Sequence, residues 1–167
     1  MSYITIKNTL GEKLNMLKNF ILSLLYTNYR AVSLYRLSSW FYRKNMRTMA
    51  YVTKSINISL NGCDISPAAK IGKNITFCHT VGVVIGEGVV IGDNLRIYQN
   101  VTLGTKDGRN PEYPTVGDNV TLFAGCVIAG SVEVGSDSTV GANSVVLKSI
   151  PQNSMAIGIP AKIKQIS

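Results

Sequence analysis

The 167 residues, 46% hydrophobic and 16% charged, have the content of a soluble globular protein with one ordinary core and an appendage. The net charge of +8 raises nucleic acid, anionic membrane and acidic substrates as partners. However, residues 1–60 hold nine basic groups against the single acid Glu12, whereas residues 61–167 hold eight of each sign, so the second part is neutral and lacks the basic and aromatic interleaving of a nucleic-acid surface.

From Glu12 to Lys54 the pattern is helical. Leu14, Leu17, Ile21, Leu24 and Leu25 recur at steps of three and four, and Val32, Tyr35, Trp40 and Phe41 follow a break near Asn28, which predicts two or three helices. The apolar stretch from Phe20 to Tyr29 is shorter than the roughly 20 residues that span a bilayer, and no transmembrane helix is predicted. A basic amphipathic segment suits either its own domain or peripheral contact with an anionic membrane face. Cys63, Cys78 and Cys126 form an odd set without framework spacing, and no cleavable signal pattern precedes them, so a cytoplasmic setting is expected.

Beyond residue 60 the period becomes six. Apolar residues lead each unit at Ile65, Ile71 and Phe77; after a two-residue slip at Val83 and Val84 they continue at Ile85, Ile91, Ile97 and Leu103. After an interruption over residues 104–115 the frame returns at Val116, Leu122, Ile128, Val134, Val140 and Val146. A second small or apolar residue stands four places on, at Ala69, Ile75, Val81, Val89, Leu95 and Val101 in the first half. Each unit reads as a short strand plus a tight turn whose leading residue points into a narrow core, and stacked coils satisfy one another's backbone. The expected architecture is a mainly β, parallel solenoid over residues 61–167, with a loop at 104–115, a tail at 151–167 and an α-helical segment at 1–60 that caps its open end.

The run D-I-S-P-A-A-K-I-G from Asp64, His79, G-V-V-I-G-E from Gly82, V-T-L-G from Val101 and G-I-P-A-K from Gly158 together resemble the serine acetyltransferase branch of the hexapeptide-repeat acyltransferases, over about residues 31–167. The resemblance implies a left-handed β-helix, acetyl-CoA as co-substrate with no tightly bound cofactor, and a homotrimer, with pairing of trimers as a further option, whose active sites lie between subunits. It also implies a catalytic pair at Asp64 and His79. An imidazole suits removal of a hydroxyl proton during attack on a thioester, and a carboxylate suits its orientation. The tail resembles the family's CoA-binding part, so Ala124, Gly125, Ala142 and Gly158 would let the pantetheine arm approach and Lys162 would meet a phosphate. Cys78 reads as a small wall residue rather than a nucleophile, and a single histidine argues against a metal site.

Two departures stand out. The family's acid before the histidine is Cys78 here, and its second histidine is Asn110. Asn110 and Tyr113 in the polar excursion suit sugar hydroxyls and ring faces, and Leu34-Tyr35-Arg36 resembles capsule and colanic acid O-acetyltransferases. The preferred expectation is therefore O-acetylation of a surface polysaccharide or its precursor, at the inner membrane face. Serine is the alternative acceptor, and a catalytically idle scaffold the alternative from another class.

Overall fold

The computed structural model describes residue 21 and residues 25–166. Leu14, Leu17 and Leu24 of the helical stripe lie outside the described residues. Two helices, α1 (Thr27–Arg43) and α2 (Arg47–Asn61), precede a β-helix. Its strands are β1 (Asp64–Ile65), β2 (Lys70–Ile71), β3 (Thr76–Phe77), β4 (Val84–Ile85), β5 (Val90–Ile91), β6 (Arg96–Ile97), β7 (Thr102–Gly104) and β8 (Thr115–Val116). They continue with β9 (Thr121–Leu122), β10 (Val127–Ala129), β11 (Glu133–Val134), β12 (Thr139–Val140), β13 (Val145–Val146), β14 (Ser154–Ile157) and β15 (Lys162–Gln165).

Every third strand pairs in parallel as far as β13, and β12 pairs with β14, which builds a three-sided prism. The first face is β1-β4-β7-β10-β13, the second β2-β5-β8-β11, and the third β3-β6-β9-β12-β14, with β15 closing it antiparallel. The hexapeptide rule explains this: a two-residue strand exposes one side chain and buries the next, so Ile85, Ile97, Leu103, Leu122, Ile128 and Val140 stack at 0–1% exposure along the axis. The fold is the left-handed parallel β-helix of the hexapeptide repeat.

One repeat departs from the expected frame. Val81 is 64% exposed and Val83 is fully buried, so Val83 takes the inward position expected of Val81. The two extra residues therefore widen the turn between Phe77 and Val83, the turn that carries His79. Gly82, at φ +72°, brings the chain back into register.

The helices cover the open end of the prism. The Tyr35 hydroxyl donates to the Ala69 carbonyl at 2.7 Å, and Arg36 donates to the carbonyls of Ile71, at 2.6 Å, and Gly72. These bonds occupy acceptors at the first coil's edge that would otherwise template another strand. The break between helices falls at Lys44–Met46, and α2 continues past Lys54 to Asn61, where Gly62 ends it at φ +67°. The inward face of α2 is small and polar: Ala50, Thr53, Asn57 and Asn61 are buried, and Asn57 Nδ2 donates to the Ala31 carbonyl at 3.1 Å. Its apolar residues Met49, Val52, Ile56 and Leu60 are exposed. Among the described residues no helix is long and apolar enough to cross a membrane.

Candidate functional site

The corner between the third and first faces gathers most of the residues expected to act. Counting along the stacked coils, His79 follows β3, Gln99 follows β6, Ala124 and Gly125 follow β9, Ala142 follows β12, and Gly158 follows β14. With coils about 4.8 Å apart, His79 and Gly158 stand roughly 19 Å apart along the column. Lys162, exposed on β15, pairs with Ile157 at its upper end.

The column is lined by glycine and asparagine because of how the turn is made. Gly82, Asn100, Gly125, Asn143 and Gly158 all have positive φ, which the corner requires in every coil. A Cβ on Gly82 would collide with Oδ1 of Asn100, and one on Gly125 with Oδ1 of Asn143. Glycine and asparagine thus alternate, each asparagine folding over the glycine beneath it. Gly125 is set by turn geometry, whatever else it touches.

His79 is exposed at the foot of the column, in a cleft lined by Tyr26, Asn28, Leu60, Gly62 and Thr80. Its ring centroid lies 6.5 Å from Tyr98, which stacks on Phe123 at 5.1 Å and an interplanar angle of 25°. Cys78 directly follows β3 and is half-buried, next to Tyr98, while Phe77 before it points into the core. The neighbouring Cys78 thiol pushes the Tyr98 hydroxyl above the ordinary phenol range. The aromatic pair escaped the sequence reading, although each follows an inward residue of the repeat frame, at Ile97 and Leu122.

Asp64 opens β1, in register with Val84 beyond the His79 turn. Its carboxylate accepts from Lys54 Nζ at 2.7 Å, and no hydrogen bond joins it to His79. The structure does not bring the pair into contact, and Lys54 is a partner that spacing did not suggest.

Asn110 and Tyr113 lie elsewhere. Their excursion leaves the first face at Gly104 and re-enters the second at Thr115, a different corner from that of His79. Asn110 is exposed near the tip, while Tyr113 is half-buried against the coil, with its hydroxyl 3.4 Å from Glu87 Oε1. Among the described residues no three His, Cys, Asp or Glu side chains group as metal ligands.

The profile of the bacterial transferase hexapeptide (six repeats) family matches residues 113–148. A serine acetyltransferase of Staphylococcus aureus is 41% identical over 139 residues, covering 83% of this chain and 65% of the relative. The serine acetyltransferase of Brucella abortus in complex with coenzyme A superposes with a TM-score of 0.83 at 35% identity, over 89% of this chain and 60% of that one. Soybean serine acetyltransferase complexed with serine gives 0.80 at 38% identity, over 83% and 58%. The chain carries the hexapeptide repeat of the bacterial transferases and is similar to the serine acetyltransferases over most of its length.

The chain spans just under two thirds of the length of the curated relatives it matches. The comparisons correct the expected acceptor. The similar proteins are serine acetyltransferases, which overturns the reading of a surface-polysaccharide O-acetyltransferase and the likeness to capsule enzymes drawn from Leu34-Tyr35-Arg36. An aromatic in a polar loop suits a sugar ring face, but the Tyr113 ring is packed on its own chain, across Gly86 and Gly88.

Proposed function

We propose that the protein is an acetyl-CoA-dependent serine O-acetyltransferase. The observation that carries this is the column at the third-to-first corner, where a sole, exposed histidine stands at the foot of a track of glycine, alanine and asparagine, in a chain whose similar proteins are serine acetyltransferases. In this reading the pantetheine arm lies along Ala124, Gly125, Ala142 and Gly158, with Lys162 near a phosphate and the thioester at His79.

His79 accepts the serine hydroxyl proton as that oxygen attacks the thioester carbonyl. The tetrahedral intermediate collapses with cleavage of the C–S bond, the acetyl group stays on the serine oxygen, and the proton passes from the imidazolium to the departing thiolate. Asp64, which the resemblance makes the orienting carboxylate, is paired with Lys54 in this structure. Cys78 leaves the serine ammonium without the acid expected at that position.

The corner that holds His79 and the corner that carries the loop point apart, so this reading includes a homotrimer in which a neighbouring copy's loop reaches His79. Mixing His79→Ala subunits with loop-deleted subunits tests it: a shared site regains activity in the mixed trimers. The exposed apolar face of α2 is the surface on which peripheral membrane contact would fall, and co-sedimentation with anionic vesicles tests that. The central experiment follows thiol release from acetyl-CoA with L-serine, with mass spectrometry of the product. O-acetylserine formation is expected, and its absence at millimolar serine would overturn the proposal.

A further inference from the structure

The excursion at residues 104–115 is clamped at both ends by side chains seated on glycines. At the returning end the Tyr113 ring lies across Gly86-Glu87-Gly88: a Cβ on Gly86 would sit 2.7 Å from its Cε1, and one on Gly88 would collide with its Cδ2. Neither glycine is in the left-handed region, so backbone conformation does not require them. Space for the ring does. At the departing end the Lys106 stem lies across Gly130, whose Cβ would stand 2.8 Å from Cδ and Cε, and its ammonium donates to the Leu147 carbonyl at 3.2 Å. The departing arm is also stiffened internally. The Thr105 hydroxyl donates to the Asp107 carbonyl at 2.8 Å and accepts from the Asp107 amide at 3.2 Å, and the Arg109 amide donates to Asp107 Oδ1 at 2.9 Å. The coils beneath hold one end and the coils above hold the other, which leaves Asn110 to Glu112 as a short exposed tip.

We propose that Tyr113 and Lys106 are positioning residues that present the loop tip to the acceptor of the neighbouring copy, and that Tyr113 acts through this seat and not by touching the acceptor. The proposal rests on the serine-transfer reading for its kinetic consequence, but the clamp itself does not. Ordering the loop in advance removes its entropy cost from acceptor binding, so loosening it should fall on the acceptor and spare acetyl-CoA.

Three variants of the full chain separate the possibilities. Gly88→Ala evicts the ring while leaving Tyr113 in place, Tyr113→Ala removes it, and Tyr113→Phe keeps the ring and loses only the hydroxyl. Each is followed by limited trypsin cleavage after Lys106 and Arg109, by melting temperature, and by separate KM values for serine and acetyl-CoA. Gly88→Ala and Tyr113→Ala should speed cleavage and raise the serine KM by about tenfold or more while the acetyl-CoA KM stays within about twofold, and Tyr113→Phe should restore both readouts. Cleavage as slow as wild type in both disrupting variants would overturn the clamp. Fast cleavage with an unchanged serine KM, or equal rises for both substrates, would overturn the positioning role. A wild type that does not acetylate serine would count against the function proposed above, and the cleavage rates would still decide the clamp.

Discussion

Replacing Cys78 by aspartate should strengthen serine binding. The residue is half-buried, immediately precedes the exposed His79, and stands where the family carries an acid. Two unit charges about 4 Å apart attract by ~1 kcal/mol in water and ~4 kcal/mol at an effective dielectric near 20, whereas exposed pairs return only ~0.2–1 kcal/mol after desolvation and side-chain ordering. A half-buried position beside an open cleft falls between, at about 1–2 kcal/mol, which is a fall of roughly 5- to 30-fold in the serine KM. The thiol-release assay with L-serine, run on wild type, Cys78→Asp and the neutral Cys78→Asn, isolates the charge. The gain should shrink as ionic strength rises, because a pair at the cleft mouth is screened by salt. Equal KM values for the Asp and Asn variants, or a higher KM for Asp, would refute the placement of the serine ammonium at residue 78.

Three further outcomes follow from the same geometry. His79→Ala should lower kcat by about 10²- to 10⁴-fold while CoA binding, measured by calorimetry, stays intact; a variant that turns over normally would remove the general base from the mechanism. Leu122, fully buried at the prism axis, should cost about 2–5 kcal/mol when cut to alanine and lower the melting temperature by on the order of 10 °C, and an unchanged melt would deny that the axis carries the fold. Burial pushes the Cys63 thiol up to about 11 and the Cys126 thiol up to about 12. A raised folded-state value favours the neutral thiol, so the stability it contributes is intact below the unfolded thiol's range near 8.5–9 and is lost as pH rises through 11 to 12. Chemical denaturation between pH 8 and 11.5 should show this loss, and Cys63→Ala with Cys126→Val should flatten it.

Much of the architecture was legible because a two-residue strand leaves the chain little choice. Every leading apolar residue of the repeat frame, from Ile65 to Val146, is buried. Where a turn holds several interchangeable valines the frame is ambiguous. Val81, Val83 and Val84 read alike in the sequence, and the burial of Val83 alone shows which of them points inward. The site was legible in part for a similar reason. Ala124, Gly125, Ala142 and Gly158 share the His79 column because each follows a third-face strand, a relation that counting in threes recovers as far as Ala142, while Gly158 follows β14, only two strands beyond β12. The same count puts the loop after a first-face strand, so Asn110 and Tyr113 belong to another corner. The Asp64–Lys54 pair was hidden, because it joins the helical segment to the first coil and no periodicity connects them.

The corners also show why a ligand would select one column over another. Between the second and third faces, Asn74, Asn94, Asn119, Asp137 and Asn153 take the left-handed position in successive coils. Their side chains are spent on one another: Asn74 Nδ2 donates to Asn94 Oδ1 at 3.0 Å, Asn94 Nδ2 to Asn119 Oδ1 at 2.9 Å, and Asn119 Nδ2 to Asp137 Oδ1 at 2.9 Å. Such a ladder screens the turn backbone from anything outside and supports neighbouring coils through polar pairs on one face. At the His79 corner the same conformational demand is met by glycine in alternate coils, and the ladder is replaced by asparagines that fold over Gly82 and Gly125, where a Cβ would collide with Oδ1 of Asn100 and of Asn143. An unbroken asparagine ladder would satisfy the turns equally well, so the glycines at Gly82, Gly125 and Gly158 are explained only in part by φ. What Gly82 and Gly125 add is room for the asparagine of the next coil to lie flat, along the one corner where a histidine stands at the end of the column.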